Sequence, residues 1–389
     1  MVICKRIQWP VGQGGFATGT VRHGNQKYHY VYDCGSDNLS ALRNSIQCYT
    51  NNDDIECLFV SHLHSDHING IDTLLTTYPV NRVFLPYISD LEAIVLAIES
   101  AKQGMLTYNY LNFLENPFDW FFSRNVNTVS MVQRYESNPD HINGLSNKIS
   151  RDTIFKDTFL DLANIDKDTP QLLPGCVDIG LSFKGGPLWI LAPFVPPVPE
   201  GVYDRFIEEC NNLKLSISKN NYNSRNLQLL LTDKDLLAKL KRTYDLISSK
   251  HNFVSMCLYS GPPNRHYLMP THARRRKLFR KERVGWMGTG DSPLKNEVVL
   301  DAFRRRYDRY LPLVGTLMCP HHGSKDNMDN HLIKVVNPHF SFAAASTTNG
   351  HGHPSGDVMS QLRLSEVGFH QISEVPGSKL VEEVSYLHF

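Results

Sequence analysis

Short runs of apolar and β-branched residues recur through the first 85 positions, a β-rich pattern broken by one helix. Thr18–Arg22 and Tyr28–Asp33 carry the β-branched and aromatic side chains that strands favour, with a turn at His23-Gly24-Asn25 between them. Ile55–Val60 is a short apolar run that stops where a series of histidines begins, so those histidines are expected on a loop at a strand's carboxyl end. A helix is predicted to start at Gly70-Ile71-Asp72-Thr73-Leu74-Leu75, and a further strand at Val83–Leu85. From about 88 to 175 the pattern changes: Leu91–Ala101 and Leu106–Phe122 read as aromatic-rich helices, and the polar stretch beyond them has no clear period. This region is expected to be a mostly helical insertion or cap.

Strand signals return at Leu181–Phe183 and Leu188–Pro193, followed by a helix around Tyr203–Cys210. A Ser/Asn-rich linker (Ser216–Asn226) and a charged helix (Asp233–Ser249) make a second addition at about 212–250. Phe253–Tyr259, Val284–Met287 and Thr316–Cys319 are predicted strands, with a helix at Asn296–Tyr310. The order is β-rich, mixed, then alternating. It predicts an α/β protein of two sheets sandwiched by outer helices, one domain over residues 1–389.

Composition narrows the field of functions. Lys plus Arg number 40 and Asp plus Glu 39, so no global field drives the chain onto nucleic acid or a membrane. No apolar run approaches the roughly 18–20 residues that span a bilayer. The amino-terminal residues run straight into a strand-like segment, so no signal peptide is expected. The eight cysteines are scattered without Cys-x-x-Cys pairs, and several sit in apolar surroundings; a cytoplasmic location follows as the expectation.

Histidine carries the chemistry. His62-Leu63-His64-Ser65-Asp66-His67 places imidazoles at i and i+2 on a tight loop, where they can converge on one cation, while Asp66 and His67 can turn toward another. Mixed nitrogen and oxygen ligands suit Zn²⁺, Mn²⁺ or Fe²⁺. A second acid stands in Met287-Gly288-Thr289-Gly290-Asp291, where small residues let the backbone approach closely; it suits a metal-bridging role, or else caps the next helix. Cys319-Pro320-His321-His322-Gly323-Ser324 ends another apolar run. One of its histidines can finish a metal site while the other, with Ser324, meets a ligand or substrate. Spacing does not say which, and the reading leans to His321 as ligand and His322 as catalytic. His353, in His351-Gly352-His353-Pro354, can contact substrate, protonate a leaving group or brace a ligand.

These motifs resemble the metallo-β-lactamase superfamily, and within it the metallo-β-lactamase domain of the DNA-uptake protein ComEC and its free-standing relatives. Val11-Gly12-Gln13-Gly14-Gly15, Asp33-Cys34-Gly35-Ser36, the Ser61–His67 run, Leu188–Pro193, Asn252-Phe253-Val254-Ser255, Thr289-Gly290-Asp291, Pro320–Ser324 and Gly352-His353-Pro354 follow in that group's order. The resemblance covers both ends of the chain and leaves most of 88–175 and part of 212–250 as additions. It implies a four-layer αββα sandwich. It also implies that His62 and His64 hold one divalent ion and Asp66 and His67 another. Asp291 would bridge, His321 or His322 would finish the second site, and Asp33 would orient a ligand histidine. Asp66 would serve both as ligand and in catalysis. One departure stands out: the loop before Leu188–Pro193, Leu173-Pro174-Gly175-Cys176-Val177-Asp178, lacks the third histidine that many superfamily members supply to the first ion. His141 is the nearest upstream candidate, in a stretch that reads as a turn.

Two such ions, about 3.5–4 Å apart, lower the pKa of a shared water to about 7. That chemistry serves phosphodiesters, lactones and thioesters alike, so the fold does not choose the substrate. The stretch 265–283 tilts the expectation to phosphodiesters, with Arg274, Arg275, Arg276, Lys277 and Arg280 in its centre and one acid, Glu282. Phosphate backbones reward such clustering through counterion release. The sequence therefore predicts a nuclease or phosphodiesterase on nucleic acid or a nucleotide. The alternatives are an esterase or lactonase on a small molecule, and a non-catalytic partner protein on the same fold.

Overall fold

The computed structural model describes residues 1–49, 53–135, 158–162, 171–183, 186–212, 233–245, 247, 254–264 and 283–386. The chain opens as an antiparallel meander, Val2–Gln8 (β1), Gly14–His23 (β2) and Gln26–Ser36 (β3). Helix Leu39–Cys48 (α1), capped by the Asn38 side chain, leads to Ile55–Phe59 (β4), which pairs parallel with β3. Ser65–Ile68 (α2) and Ile71–Thr77 (α3) precede Val80–Pro86 (β5), parallel to β4. Three helices follow, Asp90–Lys102 (α4), Tyr108–Glu115 (α5) and Pro117–Phe122 (α6). Next come Thr128–Val132 (β6), Thr158–Asp161 (β7), Gln171–Leu173 (β8), Val177–Phe183 (β9) and Gly186–Phe194 (β10). Asp204–Asn212 (α7) and Lys234–Tyr244 (α8) separate these from Cys257–Gly261 (β11) and Gly285–Gly288 (β12). The chain ends through Glu297–Tyr307 (α9), Val314–Met318 (β13), Asn330–Val336 (α10), Phe340–Ala344 (β14), Gly356–Leu364 (α11), Gly368–Ile372 (β15) and Leu380–Tyr386 (β16).

The strands form two eight-stranded sheets, ordered β16-β1-β2-β3-β4-β5-β6-β8 and β15-β14-β13-β12-β11-β10-β9-β7. Alternation along each strand fixes the layers, because successive side chains point to opposite faces. Tyr32, Cys57, Phe59 and Phe84 from the first sheet and Leu191, Leu258, Trp286 and Phe342 from the second belong to one buried cluster between the sheets. Tyr32 meets Trp286 edge-on at 5.5 Å between ring centroids. The intervening residues Val31, Leu58 and Val83 lie on the opposite face, in a cluster with Leu42, Leu74, Ile94 and Leu111 from the helices. On the outer side of the second sheet, Leu317 and Ala343 are buried with Val299, Phe303, Leu332 and Val358. Helices therefore cover both outer faces. This is the four-layer αββα sandwich of the metallo-β-lactamase fold.

Differences from the sequence reading have local causes. The helix expected over Leu106–Phe122 breaks at Asn116, whose side chain caps α6 by accepting from Asp119 N at 3.2 Å, with Pro117 in the first turn where its missing N–H costs nothing. Helical structure in the 88–175 addition is confined to α4–α6 among the described residues. Its later, aperiodic part instead contributes β6 and β8 to one sheet and β7 to the other. All five residues of β6, Thr128-Val129-Ser130-Met131-Val132, are buried, the polar Thr128 and Ser130 included, so the segment lacks the continuous apolar run by which a buried parallel strand is recognised. Arg306, on α9, is buried, and its Nη2 reaches Asp178 Oδ1 at 2.7 Å, tying the helix to β9. All eight cysteines are free thiols. Among the described residues no helix is long and apolar enough to cross a membrane.

The parallel strands β3, β4 and β5 of one sheet and β12, β13, β14 and β15 of the other release their chains into loops at their carboxyl ends. The loops after β4, β12, β13 and β14 carry the chemistry.

Candidate metal centre

The loop after β4 runs Val60, Ser61, His62, Leu63, His64, and the first turn of α2 carries Asp66 and His67. Beneath it Asp33 adopts a left-handed backbone (φ 60°) and is fully buried. Its carboxylate accepts from Ser61 N at 2.6 Å, Ser61 Oγ at 2.7 Å and His67 Nδ1 at 2.8 Å. The Ser61 hydroxyl is thereby committed as a donor, so the 3.0 Å contact with His62 is a donation from His62 Nδ1. Both rings keep Nε2 free of any hydrogen bond. Gly35 is required for this approach, since a Cβ there would lie 2.4–2.5 Å from the backbone of His67.

Asp291 enters from the turn after β12. Gly290 takes φ 48° and leaves no room for a side chain against Ser61 and Ser255, while the Asp291 amide donates to Ser255 Oγ at 2.8 Å. The two carboxylate oxygens face different histidines. Oδ2 lies 3.4 Å from His62 Nε2 and 3.7 Å from His321 Nε2. Oδ1 lies 3.6 Å from His67 Nε2 and 3.9 Å from His322 Nε2. His321 and His322 both hold positive φ, 47° and 56°. Their Nδ1 atoms are occupied, by Asn327 Oδ1 at 2.9 Å and the Ala344 carbonyl at 2.7 Å, so their Nε2 atoms too are the free nitrogens. Asp66 Oδ2 closes the far side, 3.3 Å from His322 Nε2 and 3.7 Å from His67 Nε2.

Three overlapping groups have metal-ligating spacing: His62, His64 and Asp66; His62, His67 and Asp291; and Asp66, His67 and His322. The Nε2 atoms of His62, His67 and His322 and Oδ1 of Asp291 are buried without a hydrogen-bond partner. A buried polar atom without a partner is costly, about 1–3 kcal/mol each, and four converging on one space fit a cation there, which the imidazoles would accept in their neutral form. The residues present therefore suit divalent ions. The sequence reading leans to His321 as the ligand finishing the second site, but His322 is the one grouped with Asp66 and His67. His321 stands on the Oδ2 side of Asp291, with His62, and its side chain is 38% exposed.

Charge is tightly balanced. Burial opposes ionisation of Asp291, yet His321, His62, His67 and His322 outweigh it and hold the carboxyl well below its usual range. Burial likewise opposes charge on His67, but Asp66, Asp33 and Asp291 raise it to about 10. His62 is pulled down to about 4 by burial and by His67, leaving a neutral imidazole.

The remaining sequence candidates fall in different places. His353 lies beside the cluster, its ring 5.4 Å from that of His321 and its Nδ1 buried without a partner; burial and the charge of His321 lower it to about 4. Ser324 is buried and its Oγ accepts from Asp326 N at 3.2 Å, a turn contact. Arg274, Arg275, Arg276, Lys277 and Arg280 lie outside the described residues, as does His141. Glu99, on α4, has no counterpart in the sequence reading. Its Oε2 is 3.0 Å from His64 Nε2, and a lone acid within a helix gives no sequence signal of that contact. Ser61 and Ser255 belong to motifs of the resemblance, without a role of their own there, and Asn327 was unmarked; all three support the cluster through hydrogen bonds. A cavity of about 240 Å³ between α2–α3 and α4–α6 is lined by His64, Glu99, Tyr110, Phe113 and Trp120, and touches the cluster only through His64.

Fold and site together define a metallo-β-lactamase-type sandwich with a histidine–aspartate cluster at the loop edge of its two sheets. A family model described as "Anti-Pycsar protein Apyc1" matches residues 19–107, a stretch that includes Asp33, the His62–His67 run and Glu99. No curated protein matches the chain. Among solved structures, the metallo-β-lactamase fold protein YhfI from Bacillus subtilis is similar at 10% identity and TM-score 0.38, over 98% of this chain and 99% of that one. Igni18, described as a metallo hydrolase from Ignicoccus hospitalis, is similar at 10% identity and TM-score 0.36, over 98% and 100%. Unliganded PDE1 from yeast is similar at 9% identity and TM-score 0.33, over 98% and 99%.

Proposed function

We propose that this protein is a metal-dependent hydrolase that cleaves phosphodiesters, in nucleic acid or a nucleotide, with two divalent ions such as Zn²⁺ or Mn²⁺. The observation that carries the reading is the Asp291 carboxylate, one oxygen toward His62 and His321 and the other toward His67 and His322, amid buried nitrogens that lack partners. In this reading His62 and His64 hold the first ion, Asp66, His67 and His322 the second, and Asp291 serves both. When bound, such a pair supplies an activated water at neutral pH and stabilises charge on the attacking and leaving oxygens. The chain's residues do the positioning. Asp33 and Ala344 O lock the tautomers of His67 and His322 so that Nε2 faces the centre. His353, neutral and with its ring 5.4 Å from that of His321, would in this reading meet the substrate or its leaving group.

Preference for a phosphodiester rests on the basic stretch 265–283, which leads into β12 and so to Asp291, in a chain whose charges otherwise cancel. The aromatic cavity beside His64 favours a second reading, an esterase or lactonase on a small apolar molecule. Purified protein offered single- and double-stranded DNA, RNA and cyclic nucleotides with Mn²⁺ or Zn²⁺ is expected to cleave at least one, with weaker binding as salt rises for a polymeric substrate. His64→Ala and Asp291→Ala are expected to abolish turnover. Hydrolysis of lactones or esters with no cleavage of any phosphodiester would replace the first reading with the second.

A further inference from the structure

His64 is wired in the opposite sense to the other histidines of the cluster. His62, His67 and His322 each tie Nδ1 to a neighbour, Ser61 Oγ, Asp33 and the Ala344 carbonyl, and leave Nε2 buried and unpartnered. In His64 it is Nε2 that is tied, to Glu99 Oε2 at 3.0 Å. An ionised carboxylate only accepts hydrogen bonds, so this contact puts the proton on Nε2. The nitrogen left for the His62–Asp66 group is then Nδ1.

Glu99 is well held for such a task. It projects from α4, three residues before that helix ends, and its side chain is 24% exposed. Tyr244 on α8 also favours the ionised carboxylate, and α4 packs against α8. Both additions to the sandwich therefore meet at one carboxylate behind one histidine. Glu99 does not share metal-ligating spacing with His62 or Asp66, which separates it from the ligand groups themselves.

We propose that Glu99 is a positioning residue for the first ion, holding the His64 imidazole in its Nε2–H tautomer so that Nδ1 serves as the ligand atom, and that α4 is thereby part of the metal centre. The inference rests on the reading of His64 as a ligand of that ion. Carboxylates placed behind ligand histidines in this way contribute about 10–100-fold in metal affinity when mutated.

The test combines metal binding with a spectroscopic signature. Chelator competition with Zn²⁺ is expected to show one of two ions bound about 10–100-fold more weakly in Glu99→Leu, with the other unchanged. Glu99→Gln, whose amide oxygen still accepts from Nε2–H, is expected to recover most of that affinity. In ¹⁵N-histidine-labelled, Zn²⁺-loaded wild-type protein, the His64 signals (assigned by their loss in His64→Ala) are expected to show a protonated Nε2 and a metal-shifted Nδ1. That measurement stands even if Glu99→Leu does not fold. A protonated Nδ1 on His64, or Glu99→Leu binding both ions with wild-type affinity, would overturn the proposal. If His64→Ala also keeps both ions at wild-type affinity, the ligand reading of His64 has failed; if His64→Ala loses one and Glu99→Leu loses none, only the role of Glu99 has.

Discussion

His67 donates from Nδ1 to Asp33 Oδ2 at 2.8 Å, with both side chains fully buried. The contact sets which ring nitrogen of His67 is free, and Asp33 reaches it from a left-handed backbone that asparagine also tolerates. Asp33→Asn should therefore fold, but its amide nitrogen cannot accept, so one of the bonds to Ser61 or His67 is lost. Metal affinity is expected to fall about 10–100-fold while the circular dichroism spectrum stays unchanged. Wild-type affinity by chelator competition in that variant would remove Asp33 from the account.

The adjacent histidines should separate on metal content. His322 Nε2 sits 3.3 Å from Asp66 Oδ2 within the second group, whereas His321 faces Asp291 Oδ2 on the His62 side. Elemental analysis of His322→Ala is expected to give one ion per chain where the wild type gives two. His321→Ala is expected to keep the second-site ion. The reverse pattern would exchange their assignments.

Loss of metal should expose a pH dependence of stability. Without ions, carboxylates raise His67 to about 10 and, mainly through Glu99 acting against burial, His64 to about 9, both from an ordinary value of 6.5. A group with a raised folded-state pKa stabilises fully below its unfolded pKa, and that stabilisation is lost as pH climbs through the folded value. The metal-free protein should accordingly melt at progressively lower temperature from about pH 6.5 to 10. The depressed Asp66 and Asp291 act in the other direction, their stabilisation disappearing as pH drops below about 4. A metal-free melting temperature that is flat or rising between neutral pH and 10 would contradict the charge pattern.

Much of the cluster was legible because its residues are close in sequence or sit in short glycine-bearing turns. His62, His64, Asp66 and His67 occupy a single loop and helix turn, and Gly290 announces the bend that delivers Asp291. Which side of the Asp291 carboxylate each of His321 and His322 takes was not legible, since it depends on two consecutive positive φ angles that place neighbouring rings on different sides of it. Glu99 was hidden for another reason: a helix expected from its apolar residues presents several polar positions, and only tertiary packing selects one to meet His64. β6 was hidden because Thr128 and Ser130 are polar yet buried, so tertiary packing and not an apolar run makes it an interior strand.

A buried ion pair remote from the cluster gives a stability test independent of the metal. Arg306 and Asp178 side chains are 1% and 3% exposed, and Asp178 also accepts from the Tyr310 hydroxyl at 2.6 Å and pairs with Arg309. Removing one partner from such a pair costs about 3–5 kcal/mol, because the other charge is left buried. Asp178→Asn, which leaves the Arg306 guanidinium buried without its carboxylate, is expected to lose stability on that scale in urea titration, with metal stoichiometry unaltered. A loss below about 1 kcal/mol would mean the pair is replaceable, as some buried pairs are.

Anomalous diffraction from crystals grown with Mn²⁺ tests the central claim most directly. The account predicts two peaks about 3.5–4 Å apart on either side of the Asp291 carboxylate, one beside His62 and His64 and the other beside Asp66, His67 and His322. A single peak remote from Asp291, or no peak at the cluster at saturating Mn²⁺, would contradict it.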